Sequence, residues 1–169
     1  RQALESAKRR LVFEELFVLQ TGLLFLKRRR RALAGCTVKE NLLDEFKKTL
    51  SFKLTGAQER VINECLSDMM SPRPMNRLIQ GDVGSGKTAV AAALMYISAG
   101  NGFQSALMAP TELLAEQHFK TLCKITENSG IKCALLTGSL TKKQKDEVKA
   151  GLKSGEIKVA VGTHALLTD

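Results

Sequence analysis

Eight consecutive residues, Gly81-Asp82-Val83-Gly84-Ser85-Gly86-Lys87-Thr88, fit the pattern G-x-x-x-x-G-K-[ST]. The chemistry of that spacing is phosphate binding. Glycines let the backbone turn so that successive N–H groups point inward at an anion. A helix beginning at the lysine aims its positive end at the same place. Lys87 would reach the β- and γ-phosphates of a nucleotide, and the Thr88 hydroxyl would coordinate Mg²⁺. The context suits this reading, with Leu78 and Ile79 before the loop and the helical run Ala89 to Ala99 after it. An ordinary glycine turn is the alternative. The expected ligand is a nucleoside triphosphate with Mg²⁺.

A phosphate loop does not read a base, so base recognition needs other residues. Upstream lies Phe52-Lys53-Leu54-Thr55-Gly56-Ala57-Gln58. The Gln58 amide offers one donor and one acceptor, which suits the N6/N7 edge of adenine, and Phe52 could stack on the ring. Yet Thr55-x-x-Gln58 is also a capping box, and spacing alone favours that role. Three further segments follow apolar runs of strand character: Ala109-Pro110-Thr111-Glu112, Leu136-Thr137-Gly138-Ser139 and Gly162-Thr163-His164-Ala165. In an open parallel sheet, ligands bind beyond the carboxyl ends of strands. Hydroxyls and free N–H groups there suit a phosphate backbone, though each segment alone is more often a cap or turn. His118 and His164 lack a spaced partner for a metal or a nucleophilic relay, so neither is assigned acid–base work.

The elements that must position these groups alternate. Candidate strands are Arg77–Gln80, Ser105–Ala109, Lys132–Leu136 and Lys158–Val161, and candidate helices span about 56–70, 87–99, 112–128 and 141–152. Such alternation predicts an α/β fold, a parallel sheet flanked by helices. Thr141-x-x-Gln144 is a second capping box. Residues 1 to about 33 read as one long helix with Leu4, Ala7, Leu11, Val18 and Phe25 near one stripe, widened by Phe13 and Phe17. It is expected to dock on the core or on a domain elsewhere. Lys27 to Arg31 close it, and these cations suit either a helix C-terminus or phosphate contact. A connector with a short helix over Lys39 to Leu50 follows, so the chain divides into 1–50 and 51–169.

Composition bounds the rest. The 169 residues are 44% hydrophobic, enough for a real core. Net charge is +9, of which residues 1–50 hold +6. That asymmetry points equally to a polyanionic partner or to a solvated basic face. Cys36, Cys65, Cys123 and Cys133 have neither zinc nor disulfide-framework spacing. They read as reduced, mostly buried thiols of a cytoplasmic protein. Leu16 to Leu26 is too short to cross a bilayer.

Taken together, these segments resemble the motor of superfamily-two helicases, in the bacterial branch that remodels branched DNA. The resemblance covers nearly the whole chain. Leu11-Val12-Phe13-Glu14-Glu15-Leu16 resembles that branch's linker helix, and Phe52-x-Leu54-Thr55-x-Ala57-Gln58 its adenine motif. Ser71 to Leu78 running into the phosphate loop, Met108 to His118, Leu135 to Ser139 and Val161 to Leu166 resemble further family segments. The resemblance implies a RecA-like fold in which Gln58 both caps its helix and reads the adenine of ATP. It implies that Pro110, Thr111, Thr137, Gly138 and Thr163 line a DNA-backbone track. It also implies a monomer acting on forks and junctions, with a wedge domain, a second motor lobe and an acidic Mg²⁺ motif lying outside these residues. This piece is therefore expected to bind ATP without turning it over. Two rivals are a nucleotide-dependent DNA scaffold that does not separate strands and a phosphate-loop small-molecule phosphotransferase. Strand displacement and phosphate on a small acceptor, respectively, would distinguish them.

Overall fold

A computed structural model of the chain describes residues 2–31, 35–127 and 129–167. Three parallel strands, β1 (Ser105–Met108), β2 (Lys132–Leu136) and β3 (Ile157–Gly162), form a sheet in the order β1-β3-β2. Helices α1 (Gln2–Arg31), α2 (Leu43–Thr49) and α3 (Gly56–Met69) precede the sheet in sequence. Next come α4 (Lys87–Gly100), then α5 (Glu112–Thr126) and α6 (Lys142–Lys153) as the two crossovers. The expected parallel α/β arrangement is what forms.

β3 is the central strand because it is the most apolar: Ile157, Val159, Ala160 and Val161 are all buried. Strands covered on both faces read as continuous hydrophobic runs. α4 supplies small buried residues, Ala89, Ala92 and Ala93, beside Val90 and Ile97, so its axis can approach the sheet closely. Its C-terminal neighbour Asn101 ties down the connector. The Asn101 carboxamide oxygen accepts from the Lys39 and Glu40 N–H groups at 2.9 Å each, and its NH₂ donates to the Glu40 carbonyl at 3.0 Å. Val38, Leu43 and Phe46 are thereby buried in the core shared with α3 and α4, with the Phe46 ring 5.4 Å from that of Tyr96.

Two capping boxes form as the spacing predicted, Thr55 with Gln58 on α3 and Thr141 with Gln144 on α6. Element boundaries differ from expectation by a few residues at most, with one exception. Arg77–Gln80, expected as a strand, lies outside the sheet. A strand forms only against a neighbour's row of N–H and C=O groups, and no described segment pairs its backbone with this one. Leu78 is accordingly 92% exposed. What fixes the segment is Arg77, whose guanidinium reaches both carboxylate oxygens of Asp68 and, at 2.9 Å, Glu64 on α3. That contact holds the Asp68 carboxyl below its ordinary range.

Of the two places offered for α1 the structure excludes one, and the reading of the cysteines as mostly buried needs correction. α1 forms, with Phe13 and Phe17 stacked at 5.9 Å, but every described side chain from Leu4 to Leu26 is exposed. It does not dock on this core. The side chains of Lys27 to Arg31 lie outside those described. Of the cysteines only Cys65 is buried; Cys123 and Cys133 are half-buried and Cys36 is exposed. No described helix is long and apolar enough to cross a membrane.

Candidate nucleotide site and strand-end loops

The phosphate-binding loop is built by two left-handed glycines, Gly84 (φ 82°) and Gly86 (φ 81°), on the way into α4. Any side chain is disfavoured in that conformation. Gly86 has a second reason to be glycine. A Cβ there would lie 2.2 Å from Gln58 Nε2. The Gln58 side chain bridges two elements: its Oε1 accepts from the Thr55 N–H at 2.8 Å, and its Nε2 donates to the Ser85 carbonyl at 2.9 Å. Helix α3 is thus stitched to the loop by the residue expected to cap it.

Lys87 Nζ donates to the Gly81 carbonyl at 2.6 Å and the Asp82 carbonyl at 2.7 Å, curling over the loop that precedes it. As the first residues of α4, Lys87 and Thr88 have no intrahelical acceptors for their N–H groups. Those donors, the ammonium, the helix N-terminus and the Thr88 hydroxyl form a set that fits a magnesium-bound triphosphate. Anionic phosphate oxygens are stronger acceptors than the two carbonyls that Lys87 now holds. Val83 is fully exposed at the loop tip. Phe52 is half-exposed at 50%, on the approach to α3.

The strand ends come together as the strand-end argument requires. Met108, Gly162 and Leu136 are register partners across the sheet. The residues that follow them therefore form a row, with Ala109-Pro110-Thr111 and Thr137-Gly138-Ser139 on either side of Thr163-His164. A Cβ on Gly162 would meet the Leu136 carbonyl at 2.1 Å, so glycine keeps the row tight. Thr111 caps α5 by accepting from the Leu114 N–H at 3.3 Å. Thr137 turns inward, 1% exposed, with its hydroxyl 3.0 Å from that of Ser139. The outer surface of that loop is offered by Gly138 and Ser139.

Sequence reading passed over the residues that brace this row. Glu112 Oε1 accepts from the Ser139 N–H at 3.1 Å, and Lys145 Nζ donates to the Gly138 carbonyl at 2.9 Å. The only sequence signal was position: Glu112 opens α5 directly after Pro110-Thr111. Also missed was the nearness of Cys123 and Cys133, which share the wall of a shallow cavity of about 280 Å³ between α5 and β2. Burial first, and Cys133 beside it, push the Cys123 thiol up. No residue of that cavity belongs to the loops above.

Residues 55–169 match the family model described as DEAD/DEAH box helicase. The chain belongs to the DEAD/DEAH box helicase family. Within it, the chain is 45% identical over 168 residues to the ATP-dependent DNA helicase RecG of Thermotoga maritima, covering 98% of this chain and 22% of that protein. It is 47% identical over 174 residues to the RecG of Bacillus subtilis, covering 100% of this chain and 25% of that protein. The structure of RecG bound to a three-way DNA junction superposes with a TM-score of 0.86 at 46% identity, over 97% of this chain and 23% of that one. A hypothetical ATP-dependent RNA helicase from Sulfolobus tokodaii shares the fold, with a TM-score of 0.55 at 23% identity over 74% of this chain and 34% of that one. The chain spans about a quarter of the length of the curated relatives it matches. The resemblance to helicase motors read from the motifs thus extends to the fold of nearly the whole chain.

Proposed function

We propose that this chain is the ATP-binding part of a helicase that remodels branched DNA. Residues 81–88 hold the triphosphate, with Lys87 on the β- and γ-phosphates and Thr88 on Mg²⁺. Gln58 pairs with the adenine edge while Phe52 packs on its face. When bound, Mg-ATP supplies the phosphoryl group whose transfer to water drives the motor. Pro110, Thr111, Gly138 and Thr163 form the track for a DNA backbone, and the buried Thr137 shapes its loop from beneath. Contacts of that kind position a strand without reading its sequence. The likeness to RecG bound to a three-way junction favours forks and junctions as the substrate of the whole protein, which would work as a monomer in the cytoplasm.

The observation that carries this reading is the contact between Gln58 and the loop. One amide touches the Ser85 carbonyl, so the base-reading residue and the phosphate cradle are one unit. Phosphoryl transfer also needs acids and an arginine placed around the phosphates. The helicase resemblance assigns those parts to segments other than the loops described above. This chain alone is therefore expected to bind ATP and hydrolyse it far below about one per second, the low end for an assembled phosphoryl-transfer site.

Calorimetry with Mg-ATP, Mg-GTP and ADP tests the assignment, alongside steady-state turnover. Wild type should prefer adenine nucleotides, Lys87→Ala should lose triphosphate binding, and Gln58→Ala should bind ATP and GTP alike. Retained binding in Lys87→Ala, or turnover near one per second by the chain alone, would contradict the reading.

A further inference from the structure

Glu112 is out of place by charge. It stands one residue after Thr111, in a row of loops assigned to a polyanion, where a carboxylate repels phosphate. Its surroundings show what it does instead. Glu112 opens α5 directly after the β1 loop, whereas the Ser139 N–H it accepts from belongs to the loop after β2. Those strands are the two edges of the sheet, with β3 between them. Two strand spacings, about 10 Å, separate them, and the glutamate side chain closes that span from the first turn of α5.

Gly138 is fitted to this contact. A Cβ on it would sit 2.9 Å from the same Glu112 oxygen, so the carboxylate lies against the bare backbone of the loop. From the far side, Lys145 holds the Gly138 carbonyl. Thr137 and Ser139 join their hydroxyls within the turn. The 137–139 loop is therefore held at both faces, and one of the two holds comes from the helix that starts at the neighbouring loop of the proposed track.

We propose that Glu112 is a positioning residue: it fixes the separation between the Pro110-Thr111 and Thr137-Ser139 loops so that both engage one DNA backbone at once. This rests on the DNA-track reading above. Its contribution is the accepted hydrogen bond, not its charge, and that distinction supplies the test.

Anisotropy of a fluorescein-labelled mixed-sequence single-stranded 20-mer would be followed across a salt series for wild type, Glu112→Gln, Glu112→Ala and Gly138→Ala. Exchange of the Ser139 amide would be read by NMR on the same proteins. The glutamine variant loses the repulsive charge but keeps an acceptor, so it should bind as well as wild type or better. The alanine variant loses both, and should bind about tenfold more weakly, the scale of one charge-assisted hydrogen bond. Its salt slope should shrink by about 0.7, one single-strand phosphate. Gly138→Ala should follow Glu112→Ala, because its methyl displaces the carboxylate without a change at position 112. Ser139 should exchange slowly in wild type and the glutamine variant and fast in the other two. Equal tightening by Glu112→Gln and Glu112→Ala would overturn the proposal, leaving charge as the residue's only effect. So would wild-type affinity in Glu112→Ala together with a fast-exchanging Ser139 in wild type; the DNA track would survive that result. Absence of DNA binding by wild type with Ser139 still protected would instead remove the track itself, and the positioning role with it.

Discussion

Gly84 and Gly86 occupy the same left-handed region, within a degree of each other, but only one of them is crowded. Nothing lies within 4 Å of a Cβ built on Gly84. Gly84→Ala should therefore incur only the backbone term, about 1–2 kcal/mol. Gly86→Ala should incur the same term and also evict Gln58 Nε2 from the Ser85 carbonyl, loosening α3 from the loop. Urea unfolding of both variants should show Gly86→Ala as clearly the less stable, and adding Gln58→Ala should then cost less in the Gly86→Ala background than in wild type. Equal losses at the two glycines would mean that the Gln58 contact contributes nothing. The phosphate motif was legible in sequence because its chemistry is local: eight residues suffice to dictate a backbone shape. Glu112 was not legible, since its partner is 27 positions away and only the sheet order brings the two together.

At the scale of elements, periodicity and capping residues predicted the helices well. Both capping boxes form, and the errors, about a turn at most, fall at helix ends, where boundaries are soft. The failure at Arg77–Gln80 has a plain cause. Strand character is a property of the pair, so an apolar run without a paired neighbour forms no ladder: Leu78 is left exposed while Ile79 packs against the core. Arg77 replaces the missing ladder with a side-chain anchor to Asp68 and Glu64, and this gives the segment a pH signature. The Asp68 carboxyl is held low by the hydrogen bond from Arg77. Its stabilising effect is therefore complete above the ordinary carboxylate pKa of about 4 and fades as pH falls through the lowered folded-state value. The difference in urea midpoint between wild type and Asp68→Asn should be constant near neutrality and shrink towards zero in acid. A difference that persisted unchanged in acid would show that the pair is not what anchors the segment.

For the molecule as a whole, the long helix and the packed unit are energetically separate. Composition and periodicity called for α1, and its apolar stripe called for a cover, but only three-dimensional packing could say where. Leu11, Leu16, Phe17 and Leu24 are all more than half exposed, and no described core side chain comes from α1. The core instead recruits Val38, Leu43 and Phe46 from the connector. Buried apolar area is the main favourable term in folding, so the unit's stability should be indifferent to α1 and sensitive to the connector. Removal of residues 1–31 should leave the urea midpoint of the remaining chain unchanged. Phe46→Ala, which empties a fully buried site against Tyr96, should cost about 3–5 kcal/mol. A large loss on removing α1 would mean that its apolar stripe packs on the α/β unit in solution.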